Sequence, residues 1–293
     1  MRQEAIVVPG VRERAVRFAS GGETLAGILS LPETGCVSAR GAVALHGWGT
    51  YRAGPHDILV KLSRELARRG VPVLRFDFRG RGESSGAFFE TDLDAMLDDA
   101  SRASEVLREL VRVEAVGAAG LCSGANVALG AAAHFGSFDR VAALSALPFQ
   151  SHKSAMQEFR RTGGMLARTF RKALRPATWA KLLMGRVRVL RVLRTLFGGE
   201  GGRVRTPGGA TRNLKDSSRD LMGELARYRG RVLFVWGGSD PEGMGAKAHF
   251  EDFARASSLD AEFRVIEGSG HNFHSLRWEA EAVSLVADFL GAS

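Results

Sequence analysis

The sequence predicts an α/β fold, a mostly parallel sheet with helices on both faces, on three observations. Short apolar runs alternate with longer stretches of helical periodicity, and such alternation gives βαβ units whose right-handed crossovers build a parallel sheet. A hairpin pattern precedes the first unit, which adds antiparallel strands at one edge. One strongly basic segment interrupts the alternation as an insertion would.

The elements follow in order. Ala15–Phe18 and Leu25–Leu31, joined by a Ser-Gly-Gly-Glu turn, read as the hairpin. Gly41–Leu45 is a short apolar strand. His56–Arg69 carries Ile58, Leu59, Leu62 and Leu66 at helical spacing and stops at Gly70. Val71–Phe78 is the next strand, and Asp92–Val111 an amphipathic helix with acids first and bases later, as the helix dipole favours. Val113–Leu121 is strand, Ser123–His134 a helix of small residues, and Val141–Leu147 strand. Beyond the basic segment come strand Arg231–Trp236, a helix near Ala246–Ala256, strand Glu262–Ile266 and a last helix expected to include His274. The Gly-rich stretch Gly198–Gly209, with Pro207 inside it, reads as a linker.

A chain of 293 residues with 45% hydrophobic content can bury a sizeable core. No window holds the roughly 18 consecutive apolar residues of a membrane span. The first residues, with a three-residue apolar run and Glu4, do not read as a secretory signal, so a cytoplasmic location is expected. The two cysteines, Cys36 and Cys122, have no metal-ligand spacing and read as free thiols, Cys36 in a surface loop. No cofactor or metal is expected. The net charge of +9 raises nucleic acid as a partner. However, residues 151–215 hold sixteen Lys or Arg against the acids Glu158 and Glu200, so the rest of the chain is net acidic. With no recognition motif either, nucleic acid is not expected as a partner.

The chemistry is expected at Gly120-Leu121-Cys122-Ser123-Gly124-Ala125, between a strand and a helix. A nucleophile held in such a strained turn needs small residues two before and two after it, because strand and helix approach closely there. Cys122 has Gly120 and Gly124 at those places; Ser123, the other candidate, has Leu121 and Ala125, and Leu121 should clash. At a helix N-terminus the thiol would also ionise more readily than at its usual pKa of about 8.5.

On this motif the chain resembles the α/β-hydrolase fold superfamily, in its dienelactone-hydrolase-like and serine-aminopeptidase-like branch with cysteine at the elbow. The resemblance implies an acid after a late strand, matched by Asp240 in Trp236-Gly237-Gly238-Ser239-Asp240-Pro241. It also implies a base after the last strand, matched by His271 in Glu267-Gly268-Ser269-Gly270-His271. It further implies an oxyanion hole from the backbone N–H groups of Ser123 and of Trp48, the latter in His46-Gly47-Trp48-Gly49, with His46 and Gly47 as secondary members. The Arg79–Gly86 stretch is expected to be structural.

Residues 1–150 and 216–293 are then the hydrolase core, and 151–215 a basic helical cap whose helix carries Leu183, Val187, Leu190, Leu193 and Phe197 on one face and Arg188, Arg191 and Arg194 on another. The cap could present a solvated basic face or dock an anion: coenzyme A, an acidic carrier protein, or a membrane surface contacted peripherally. The activity implied is cleavage of an ester or thioester through Cys122, His271 and Asp240 and an acyl-enzyme. A cysteine thioester also leaves acyl transfer, cyclisation or elimination open, and a non-catalytic binder on the same fold is a third reading.

Overall fold

The computed structural model describes residues 6–33, 38–149, 203–205 and 211–292. The chain divides into two compact units, Met1–Phe149 with Ser217–Ser293, and Gln150–Asp216.

The first unit opens with β1 (Ile6–Val8), β2 (Val11–Ser20) and β3 (Glu23–Pro32), then β4 (Arg40–Leu45), α1 (Ile58–Arg68), β5 (Val73–Phe76), α2 (Leu93–Val111), β6 (Ala115–Leu121), α3 (Ser123–Phe135) and β7 (Arg140–Leu144). In the second unit β8 (Arg203–Arg205) pairs antiparallel with β9 (Thr211–Asn213). The first unit resumes with α4 (Leu221–Leu225), β10 (Arg231–Gly237), α5 (Pro241–Ser257), β11 (Ala261–Ile266) and α6 (Leu276–Gly291).

One nine-stranded sheet carries the first unit, in the order β1-β2-β3-β5-β4-β6-β7-β10-β11. The pairs from β1 to β5 are antiparallel and those from β5 through β4 to β11 parallel. This is the expected fold class, hairpin edge included. Gly21 and Gly22 close the β2–β3 turn at φ 54° and 83°, a backbone that only glycine adopts without cost. Strand β1 adds to the expected set: three residues with exposed Ile6 and Val7 carry little periodic signal.

Alternation along the parallel strands sorts side chains to two faces. Leu233, Val235, Leu121 and Leu144 point into a core with Ile58, Leu59, Leu62 and Leu66 of α1 and Ala282, Val286 and Leu290 of α6. Phe234 and Trp236 point the other way, where Phe250 of α5 stacks on Phe234 at 4.7 Å. Helix α2 meets α3 so closely that a Cβ on Gly130 would lie 2.7 Å from Leu97.

Three expectations shift. Helix α5 begins at Pro241, not near Ala246, because Asp240 caps it by accepting from the Glu242 N–H and Pro241 sits in its first turn. His274 lies outside the last helix, which starts at Leu276 with Ser275 accepting from the Trp278 N–H at 3.2 Å. Within Gly198–Gly209, Arg203–Arg205 is strand. The expected helix around Leu183–Phe197, its Arg188, Arg191 and Arg194, and Cys36 lie outside the described residues.

Candidate active site

Four C-terminal strand ends converge on one place. At the end of β6 the chain turns sharply into α3, and Cys122 at the turn has φ 56° and ψ −122°. For a residue with a Cβ this is a strained backbone, held because its surroundings leave no alternative. The Cys122 N–H donates to the Leu144 carbonyl at 2.8 Å. A Cβ on Gly120 would sit 2.2 Å from the Gly124 carbonyl oxygen, and one on Gly124 would sit 2.4 Å from that of Leu45. Both flanks of Cys122 must therefore be glycine. Ser123 lies inside the first turn of α3, with Leu121 buried in the core behind it.

His271 follows β11 and Asp240 follows β10, and the two loops are laced together. The Ser239 N–H donates to the Ser269 carbonyl at 2.8 Å and the Gly238 N–H to that of Ile266 at 3.0 Å. A Cβ on Gly237 would meet the Gly270 oxygen at 2.5 Å. The result places His271 Nδ1 2.7 Å from Asp240 Oδ2. Asp240 is 8% exposed, and its other oxygen accepts from the Glu242 N–H at 3.2 Å, so a helix N-terminus also stabilises its charge. Hydrogen bonding to the Cys122 sulfur raises the His271 pKa most, against the opposing desolvation, and charge attraction to Cys122 with the Asp240 contact brings it to about 9. The imidazole thus interacts with both the Asp240 carboxylate and the Cys122 sulfur.

The loop after β4 packs directly on the elbow. A Cβ on Gly47 would lie 3.7 Å from that of Cys122. The Trp48 N–H donates to Ser123 Oγ at 2.5 Å, so any other acceptor at that N–H would have to replace or share the hydroxyl. His46 is fully buried, and its Nε2 accepts from the Phe78 N–H at 3.2 Å. The proton is therefore on Nδ1, which donates to the Gly47 carbonyl at 2.8 Å. Burial pushes the His46 pKa down to about 4, so it is a neutral brace between two loops. Asp77, fully buried, accepts from the N–H groups of Arg52 and Glu83 and from the Arg52 side chain. Together with Arg79 on buried Asp99, it anchors the Arg79–Gly86 loop.

Two residues that sequence reasoning does not single out hold the same site. Ser145, buried just beyond β7 at φ 51°, donates its hydroxyl to the His271 carbonyl at 2.7 Å. Asn126 of α3 donates to the Leu147 carbonyl at 2.6 Å and accepts from the Leu147 N–H at 3.3 Å. Neither belongs to a sequence motif; the contacts exist only because β7 lies between β6 and β10.

No curated protein matches the chain. Several solved structures share its fold. Est1E from Butyrivibrio proteoclasticus with bound ferulic acid superposes with a TM-score of 0.63 at 17% identity, covering 95% of this chain and 100% of that one. Dienelactone hydrolase from Anabaena variabilis gives 0.59 at 17% identity, covering 96% and 97%. The thioesterase domain from the curacin biosynthetic pathway gives 0.57 at 14% identity, covering 96% and 99%. The Alpha/beta hydrolase family profile matches residues 42–284, a span that begins in β4 and ends in α6 and so takes in the elbow, Asp240 and His271. The chain belongs to the alpha/beta hydrolase family.

Proposed function

We propose that the protein is an acyl-processing enzyme that cleaves an ester or thioester through Cys122, His271 and Asp240. The observation that carries this reading is the strained backbone at Cys122 together with an imidazole bonded to both its sulfur and Asp240. The esterase, dienelactone hydrolase and thioesterase named for the similar structures are consistent with it.

In this reading the Cys122 thiolate attacks the acyl carbon, and the carbonyl π electrons move onto oxygen. The backbone N–H groups of Ser123 and Trp48 receive that oxyanion. His271, protonated, gives its proton to the leaving alcohol or thiol as the carbon–heteroatom bond breaks, leaving a thioester on Cys122. Water, deprotonated by His271, then releases the acid. Asp240 fixes the tautomer and supports the imidazolium throughout. An acceptor other than water would make the same site an acyltransferase. The sixteen basic residues of 151–215 favour an anionic substrate carrier, coenzyme A or an acidic carrier protein, docking on that cap.

Intact mass after brief exposure to activated acyl esters and acyl-thioesters tests the proposal. Wild type and Ser123→Ala should gain one acyl mass and Cys122→Ala none. Loss of the adduct only in Ser123→Ala would move the nucleophile by one residue. No adduct and no turnover with any donor, and ligand binding unchanged in His271→Ala, would favour a binding protein.

A further inference from the structure

Arg81 is buried to 4% exposure in the loop after β5. Its guanidinium lies 4.5 Å from the Trp48 ring centre and 4.7 Å from that of Phe88. Its Nε donates to the Trp48 carbonyl at 2.9 Å and its Nη1 to the Arg79 carbonyl at 3.0 Å. Its Nη2 is buried with no hydrogen-bond partner, and Arg81 forms no ion pair among the described residues. Burial lowers its pKa to about 10, which leaves it charged at neutral pH. An arginine set against two aromatic rings, with Asp99 acting on it only at a distance and bound instead to Arg79, is costly to bury. Its neighbours Arg52, Arg75 and Arg79 all have buried acids.

What Arg81 does hold is Trp48, the residue whose N–H faces the elbow through Ser123 Oγ. Resting on the acyl-transfer reading above, we propose that Arg81 is a positioning residue of the oxyanion loop. Its Nε fixes the Trp48 carbonyl, and its charge, which has no ion-pair partner of its own among the described residues, lies beside the loop whose N–H receives the oxyanion. A positive charge in a water-poor setting favours an anion forming nearby far more than it favours a neutral carbonyl. The arginine should therefore act on the transition state and not on substrate binding. Burial against the Trp48 and Phe88 rings keeps water from screening it.

The test measures turnover of a p-nitrophenyl ester, and inhibition by a trifluoromethyl ketone with the same acyl chain, for wild type, Arg81→Met, Arg81→Lys and Arg81→Gln. The ketone adduct on sulfur carries the oxyanion. Arg81→Met should lose on the order of 10²-fold in kcat, the size of one oxyanion-hole contribution, with KM nearly unchanged. Ketone affinity should fall in parallel, and Arg81→Lys should recover about tenfold of both by restoring charge without the fork. A folded Arg81→Met variant with wild-type kcat and ketone affinity, or with only a raised KM, overturns the proposal. Should Arg81→Met not fold, Lys against Gln decides it: Lys is expected well above Gln, and equality overturns the proposal. Cys122→Ala separates the two readings. If it turns over as wild type does, the acyl-transfer reading fails; if it is inactive while Arg81→Met matches wild type, only the role of Arg81 fails.

Discussion

His271 is set by its two partners more than by its place in the chain. Its raised pKa comes first from the Cys122 sulfur, then, against desolvation, from Asp240. Cys122→Ala should therefore bring the His271 titration, followed by NMR of the imidazole carbon, down from about 9 toward its ordinary 6.5. The sign for stability follows from the direction of the shift. A histidine whose folded pKa is raised contributes stability fully present below 6.5 and lost as pH rises through about 9. An unshifted imidazole in Cys122→Ala would mean that Asp240 alone holds the proton. At this scale the place of Cys122 at the strained turn was legible, because small flanks are a steric requirement written in adjacent positions. Ser145 was not legible, because a buried serine after a strand acquires its role only from the His271 carbonyl brought to it from 126 residues away.

The elbow is the element on which the site depends. Strand β6 and helix α3 join at an angle that brings Gly124 against the β4 carbonyls, so the strain at Cys122 is borne by packing on either side. Gly124→Ala would place a Cβ within 2.4 Å of the Leu45 oxygen, backbone that cannot rotate away. It should cost about 3 kcal/mol or more, seen as a lower denaturation midpoint and lost acylation together; Gly49→Ala, where a Cβ meets nothing within 4 Å, should leave stability unchanged. Element identity along the parallel sheet was readable from period and apolar content. Element ends were less so. The early start of α5 had a signal in Asp240-Pro241-Glu242, a capping residue followed by a first-turn proline and an acid. The start of α6 had a signal too, since Ser275 is a favoured capping residue and His274 is not, and the cap bond from the Trp278 N–H fits it.

Over the whole molecule, charge is divided as sharply as structure. Residues 151–215 carry more than the whole of the basic excess, and if they dock an anionic carrier the effect must be screened by salt, since the Debye length falls from about 10 Å at 0.1 M to about 3 Å at 1 M. The kcat/KM for an acyl-coenzyme A should therefore drop as salt rises, while that for an uncharged p-nitrophenyl ester stays level. Parallel curves for the two would argue that the basic residues are only solvated. Among the described residues no helix is long and apolar enough to cross a membrane.

By itself the sequence determined the order of elements, the parallel sheet with its antiparallel edge, and the three residues proposed for the chemistry. Each of these rests on local periodicity, on a steric demand between near neighbours, or on a motif order that survives in one dimension. Only the tertiary structure decided that His46 is a buried, neutral brace, that Ser145 and Asn126 tie the neighbouring strand ends into the site, and that Arg81 lies buried without an ion pair among the described residues, bonded to the Trp48 carbonyl. Those facts depend on which strand ends become neighbours and on how much water reaches each group, and burial and long-range contact leave no period in the chain to read.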